Sequence, residues 1–427
     1  MVERYRPNWL EIDLDAIEAN ATLLARAVAP SALCAVVKAD GYGHGAVDVA
    51  LAALAGGASW LAVALVEEGV ALRDAGIDAP VLLLSEPSAD GIVEALHQGL
   101  TLTLYTRRGV EQAVAAVVPP GVGVHVKVDT GMHRVGASPA ELGAVLEAIG
   151  RSPHLEVTGL WSHLAVADDP SDPRTAGQLE LLEALYLKHF DPGARQVRRP
   201  GPRARLSGDA RLGQGLAPAP LLHLANSAGA IMHPATRLDL VRCGIALYGY
   251  APPARYGNAP PAPRGPVDDH PGEGAYEVLS RLRPAMSWKA EVHLVRELDA
   301  GEAVSYGLSR PLMERSNVAV VPAGYHDGVP RRLFDAGGAV LIQGQRCPIA
   351  GQVTMDQLIV DCGPRSSVKP GDEVVLLGSQ GGEQISADEW ATRLETISYE
   401  VLCGIGPRVP RVSVHSAARS TEALRGS

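Results

Sequence analysis

The chain has 427 residues, 46% of them apolar and only 4% aromatic, and carries a formal charge of −10. Its length suggests two domains. Its acidity excludes nucleic acid or an anionic membrane surface as a general partner, and no apolar run approaches the roughly 20 residues of a membrane span. Met1 to Pro7 has no apolar signal region behind its charges, so a cytoplasmic protein is expected. The five cysteines (Cys34, Cys243, Cys347, Cys362, Cys403) are scattered, without metal-like spacing, and read as reduced structural thiols.

Trp9 to Asp13 reads as a short strand, and Asp15 with Glu18 three residues on reads as a capped helix start. Short apolar runs then recur at Leu33–Val37, Trp60–Ala64, Val81–Leu84, Leu100–Leu104, Val122–Val128, Val157–Trp161, Leu221–Ala225 and Leu238–Arg242. Segments of helical periodicity, such as Val66–Ala75, Pro139–Ile149 and Gly177–His189, separate most of them. Near-continuous apolar strands alternating with helices predict a parallel sheet buried on both faces, and eight of them predict a closed (β/α)8 barrel of the TIM type. An open doubly wound sheet is the alternative, but no glycine-rich dinucleotide fingerprint follows an early strand. Two Pro/Gly-rich insertions, Asp191–Pro220 with six arginines and Ala251–Gly274, read as exposed loops. After Pro284 the pattern changes to a mostly β domain, with strands at Met286–Leu298, Asn317–Pro322, Ala339–Ile342, Gln357–Val360 and Glu373–Leu377. One helix interrupts it behind a Ser386/Glu389 capping box.

Chemistry in a parallel barrel sits at the C-terminal ends of the strands. The first run ends in Lys38, followed by a turn carrying Gly41, Tyr42, Gly43 and His44. The fifth leads into Lys127 and Arg134, the sixth into Ser162-His163, the seventh into Asn226-Ser227, and the eighth into Arg242-Cys243-Gly244-Ile245. Singly, each has a structural explanation: a solvated lysine, a surface ion pair, a buried histidine, a helix cap. Together they fall at one end of one barrel. Burial lowers a lysine's pKa and frees the amine as a nucleophile. The turns after the last two strands are where barrels hold phosphate, and Ser227 with the Gly244 and Ile245 N–H groups offers donors there. A Schiff-base lysine beside a phosphate cradle points to pyridoxal 5'-phosphate.

Ala35–Gly45 resembles the cofactor-attachment segment of bacterial alanine racemases. Lys127–Gly136, Ser162–Ala165, Ala225–Ala228, Val241–Gly249, Val304–Gly307, Gly324–Gly328, Met355–Gln357 and Ile397–Val401 resemble that family's blocks in order, over nearly the whole chain. The resemblance implies a barrel over 11–284 and a β domain over 285–427 that takes in the N-terminal strand 1–10. It implies that Lys38 holds the cofactor covalently and serves as one acid/base, with Tyr306 as the opposite base. Arg242 would face the ring nitrogen and His163 the ring. Tyr42, Asn226, Ser227, Gly244, Ile245 and Tyr399 would bind the cofactor. Arg134, Met355 and Asp356 would bind substrate, Lys127 matches a lysine often carbamylated, and Tyr325 and Asp168 match the substrate's access path. The expected activity is interconversion of L- and D-alanine for peptidoglycan by a homodimer with shared sites. Broader amino-acid specificity, a decarboxylase, and a non-catalytic cofactor carrier are the rivals. A decarboxylase of this architecture would put an acid where Arg242 stands.

Overall fold

A computed structural model describes residues 5–116, 121–190, 219–252 and 273–415. The two Pro/Gly-rich insertions lie almost wholly outside the described residues.

The first strand, β1 (Asn8–Asp13), leads directly into a helix over Leu14–Val28. Asp13, not Asp15, caps it. Asp13 still has the extended backbone of the strand, and its carboxylate accepts the Ala16 N–H at 2.9 Å, as an N-cap requires. Asp15 sits in the first turn, 3.0 Å from Nδ1 of His415.

Eight parallel strands follow: β2 (Ala32–Val36), β3 (Trp60–Val63), β4 (Val81–Leu83), β5 (Thr103–Leu104), β6 (Val122–Lys127), β7 (Leu155–Trp161), β8 (Leu221–His223) and β9 (Leu240–Cys243). Their order is β4-β3-β2-β9-β8-β7-β6-β5. Just ahead of β5, Thr101 donates to Val81 at 2.8 Å and accepts from Leu83 at 3.0 Å. Those bonds join β4 to the β5 edge and close the barrel. Every residue of β2, β4, β8 and β9 is buried, which is why, His223 and Arg242 apart, these segments are apolar without alternation. The run Leu100–Leu104 gives only the two-residue β5, because its first part makes the closing contact to β4.

The remaining strands are β10 (Met286–Glu291), β11 (Leu294–Leu298), β12 (Ser316–Val321), β13 (Ala339–Ile342), β14 (Gln345–Pro348), β15 (Leu358–Asp361), β16 (Glu373–Gln380), β17 (Glu383–Ile385) and β18 (Arg411–Val414). They form a sheet ordered β14-β13-β16-β10-β1-β18, with β17 on β16, and a three-stranded sheet β11-β12-β15. Strand β1 lies inside the larger sheet, antiparallel to β10 and parallel to β18. Asn8 fastens it: its side chain accepts from Trp288 at 2.6 Å and donates to the Pro322 carbonyl at 3.1 Å, all buried. The expected capping box at Ser386 is half made. Ser386 accepts the Glu389 N–H at 3.1 Å, but the Glu389 carboxylate turns to Arg346 and Arg393.

Candidate active site

The polar residues at the strand ends surround one cavity of about 620 Å³ at the C-terminal mouth of the barrel. It brings together Lys38, Tyr42, Lys127, Arg134, His163, Asn226, Ser227, Arg242, Gly244, Ile245 and Tyr399. Four of these are cations, and no carboxylate stands among the described residues that line it.

Lys38 follows β2 at the start of a turn that the glycines alone did not predict. Ala39, Asp40, Gly41 and Tyr42 all adopt left-handed backbone, with φ of 53°, 51°, 60° and 52°. Each non-glycine residue there costs roughly 1–2 kcal/mol, so neighbouring groups must hold it. The Glu68 carboxylate accepts the Ala39 N–H with one oxygen and the N–H groups of Ala64 and Leu65 with the other, at 2.6, 2.8 and 3.1 Å. Asp40 accepts the Ala46 N–H at 2.9 Å. His44 donates from Nδ1 to the Tyr42 carbonyl at 3.0 Å, and its ring packs on Tyr248. Strain of this kind concentrates at functional sites. Burial, then the nearby Arg134 charge, lowers the Lys38 pKa, and Glu68 opposes the shift.

The turn carries the Tyr42 phenol to the end of the neighbouring strand β9. A Cβ on Gly244 would lie 2.3 Å from the Tyr42 hydroxyl, so glycine is needed at this approach. Burial raises the pKa values of Tyr42 and Tyr399, so both phenols stay protonated donors. Asp168 lies near enough to Tyr399 to add to that effect. Ser227 Oγ accepts from the Gly244 and Ala246 N–H groups at 3.0 and 3.4 Å, which leaves its proton to point elsewhere. Ile245 opens the 3-10 turn Ile245–Tyr248, so its N–H has no partner within that turn. Asn226 caps the following helix by accepting the Gly229 N–H at 2.9 Å.

Arg242 lies in β9, almost fully buried. It donates to His223 Nδ1 at 2.8 Å and to the carbonyls of Ser162 and Leu224 at 2.9 and 3.0 Å. His163 Nδ1 is 3.3 Å away. Arginine only donates, so His223 Nδ1 accepts. His223 Nε2–H then donates to His125 Nδ1 at 3.0 Å. Burial, then the Arg242 charge, holds both histidines neutral by lowering their pKa values. Burial lowers Arg242 itself only to about 10, so it remains cationic at neutral pH. Trp161 lies against the same cluster, with the Arg242 guanidinium 4.5 Å and the Lys127 ammonium 4.1 Å from its ring. Burial, then Arg242 and Arg134, lowers the Lys127 pKa to about 7. No ion pair to Lys127 exists among the described residues.

Five expected site residues do not line this cavity within the single chain. Tyr306 is 75% exposed, and Met355 and Tyr325 are also exposed. Asp356 pairs with Arg408, and Asp168 does not line the cavity. Three residues were not singled out by sequence: Glu68, Trp161 as a contact of two cations, and Cys403, which lines the cavity. Glu68 holds the N3 position of a helix, but the preceding Leu65 has no side-chain acceptor, so no capping-box pattern marked it. Trp161 ends an apolar strand, and that position was the available signal.

The family model for the alanine racemase N-terminal domain matches residues 12–196 and 206–252, and that for the C-terminal domain matches 285–413. An alanine racemase of Symbiobacterium thermophilum is 44% identical over 409 residues, covering 95% of this chain and 97% of that protein. One of Thermobifida fusca is 40% identical over 407 residues, covering 94% and 96%. The crystal structure of alanine racemase from E. faecalis superposes with a TM-score of 0.80 at 32% identity, covering 97% of this chain and all of the other.

Proposed function

This chain belongs to the alanine racemase family, a family of isomerases, and from that premise we propose that it interconverts L- and D-alanine with pyridoxal 5'-phosphate by a two-base reaction. The observation that carries this reading is the composition of the cavity: Lys38, Lys127, Arg134 and Arg242 with no lining carboxylate among the described residues. Such a site fits a ligand that is itself anionic. The cofactor's phosphate fits the end where Tyr42, Tyr399, Ser227 and the Ile245 N–H converge, and Asn226 and Gly244 shape that end. Lys38 lines the same cavity and serves as the covalent anchor. Once bound, the cofactor supplies the electron sink that acidifies the substrate's Cα proton.

The protein's own groups then divide the work. Lys38, with its pKa lowered, takes or returns the proton on one face. Tyr306 serves the opposite face. Because Tyr306 is exposed in its own chain, it acts at the barrel mouth of a second copy, in a two-fold homodimer that shares both sites. Met355, Asp356 and Tyr325 come with it, Met355 and Asp356 for the substrate and Tyr325 for the access path with Asp168. Arg134 binds the alanine carboxylate. Arg242, held in place by His223 and two carbonyls, would face the ring nitrogen as a donor that keeps its own proton. His163 would lie against the ring. Lys127, its pKa lowered to about 7 by burial and the two arginines, adds carbon dioxide as the neutral amine to form a carbamate and releases one proton. The new anion offsets Arg134. Residues 11–284 act as the cofactor-binding domain and 285–427, with the N-terminal strand, as the domain that supplies Tyr306. The product serves peptidoglycan synthesis in the cytoplasm.

Incubating the purified holoprotein with a panel of L-amino acids, followed by chiral chromatography, tests the reading. D-alanine should accumulate to equality with L-alanine. Faster conversion of serine or a larger residue would replace alanine as the substrate, and no D-product at all would sink the proposal.

A further inference from the structure

Cys347 lies in β14, and Cys362 follows β15. These two strands run antiparallel through the bridge Ile349–Val360, and Ala350 donates to the Ile359 carbonyl at 2.8 Å. Continued two residues outward along each strand, the register of that bridge sets Cys347 opposite Cys362. Ala350–Ile359 is a hydrogen-bonded pair, so Ile349–Val360 and Cys347–Cys362 occupy the alternate, non-hydrogen-bonded positions. There facing Cα atoms are about 4.5 Å apart and the side chains are closest. That spacing falls inside the range of about 4.4–6.8 Å that a disulfide spans. The Cys362 thiol acts on Cys347 as a hydrogen-bonding neighbour, and the Cys347 thiol also donates to the Gln345 carbonyl at 3.9 Å. Pro348, between Cys347 and the bridge, has no N–H with which to extend the ladder.

The remaining cysteines differ. Cys34 and Cys243, on adjacent strands β2 and β9, are fully buried in the barrel. Burial raises both to about 12, so they stay inert thiols. Cys347 is buried but Cys362 is only half-buried, and the hydrogen bond from Cys362 holds Cys347 below its ordinary value.

We propose that Cys347 and Cys362 form a redox-active dithiol, which closes to a disulfide by exchange with a low-molecular-weight disulfide and clasps the base of the loop over residues 349–357. One thiolate attacks a sulfur of the small disulfide and expels one small thiolate. The second cysteine thiolate attacks the resulting mixed disulfide and expels the other. Two protein thiols are oxidised, one small disulfide is reduced, and the two thiol protons end on the two small thiols. The clasped loop carries Met355 and Asp356. It also buttresses Tyr306, because the Ser305 hydroxyl donates to the Gln352 carbonyl at 2.6 Å. A Cβ on Gly351 would lie 2.5 Å from the Val304 carbonyl oxygen, so the two segments are in tight backbone contact. The dithiol chemistry stands by itself, and only the loop's importance for catalysis rests on the reaction proposed above.

Reduced holoprotein is incubated with bis(2-hydroxyethyl) disulfide under native conditions, then alkylated, digested and mapped by mass spectrometry. The expected product is a peptide pair joined through Cys347 and Cys362, lighter by two hydrogen atoms, absent from a Cys362→Ser protein that retains its native circular dichroism. Recovery of Cys347 and Cys362 as free thiols, or as separate mixed disulfides, would overturn the proposal. Amide hydrogen exchange over 349–357 should slow on oxidation of the wild type and not of Cys362→Ser. Equal exchange in both redox states would overturn the clasp. Formation of the cross-link in a protein without racemase activity would count against the proposed reaction and not against the dithiol.

Discussion

The Glu68 carboxylate accepts the N–H of Ala39, the residue after Lys38, at 2.6 Å. The same side chain ties down Ala64 and Leu65 at the end of β3, so one carboxylate couples that strand end to the left-handed turn after β2. Glu68→Gln retains one oxygen acceptor and loses the charge. Hydrogen bonds to charged groups contribute about 1.5–3 kcal/mol each, and a loss of about 1–3 kcal/mol in denaturant unfolding is expected. Glu68 also raises the Lys38 pKa. Removing its charge should move the acid limb of the kcat profile, which reports groups of the substrate complex, to lower pH. An unmoved limb would show that Glu68 acts only on stability.

His44 gives stability a pH dependence. Burial lowers its folded pKa to about 4, against about 6.5 in the unfolded chain. Between those values the unfolded state binds the proton and the folded state does not. The contribution is therefore complete above about pH 6.5 and is lost as pH falls towards 4, on the order of 3 kcal/mol in all. His125, lowered to about 3, acts in the same direction. Unfolding free energy measured from pH 7 to 4 should fall less steeply in His44→Gln than in wild type. Equal slopes would place the acid sensitivity elsewhere.

Lys127, with a pKa of about 7 and two arginines beside it, should take up labelled carbon dioxide. A carbamate resonance in the ¹³C spectrum is expected at pH 8, weaker at pH 6 where the amine is protonated, and absent from Lys127→Ala. That variant should bind alanine more weakly, with KM raised more than kcat is lowered. A spectrum identical in the two proteins would remove the carbamate from the site.

Shared sites predict complementation. Lys38→Ala and Tyr306→Phe proteins should each be nearly inactive. Mixing them under conditions that exchange subunits should restore activity, because half the sites of a mixed dimer are intact. No recovery despite exchange proven by mass spectrometry would place Tyr306 and Lys38 in the same subunit's reaction.

The barrel and most of its mouth were legible in the sequence for a physical reason. Strands buried on both faces are apolar runs, so Lys38, Lys127, His163, Ser227 and Arg242 stand out as polar residues at or just beyond their ends. Features set by through-space contacts were not legible. The left-handed backbone of Ala39, Asp40 and Tyr42 depends on Glu68 and on His44, neither of which is marked by spacing. The helix start at Asp13 was misread as Asp15 because both are acidic and only backbone geometry separates them. Strands β14, β17 and β18 are short, and Cys347 looked isolated until its register against Cys362 was known. Tyr306 is 75% exposed in its own chain and does not line the cavity there.

Two bases on opposite faces leave an isotopic record. L-alanine turned over by the holoprotein in deuterium oxide should give D-alanine that carries deuterium at Cα from the first turnover, because the group that returns hydrogen is not the one that removed it. D-alanine that retains its original Cα proton would contradict a Lys38/Tyr306 pair and point to a single base.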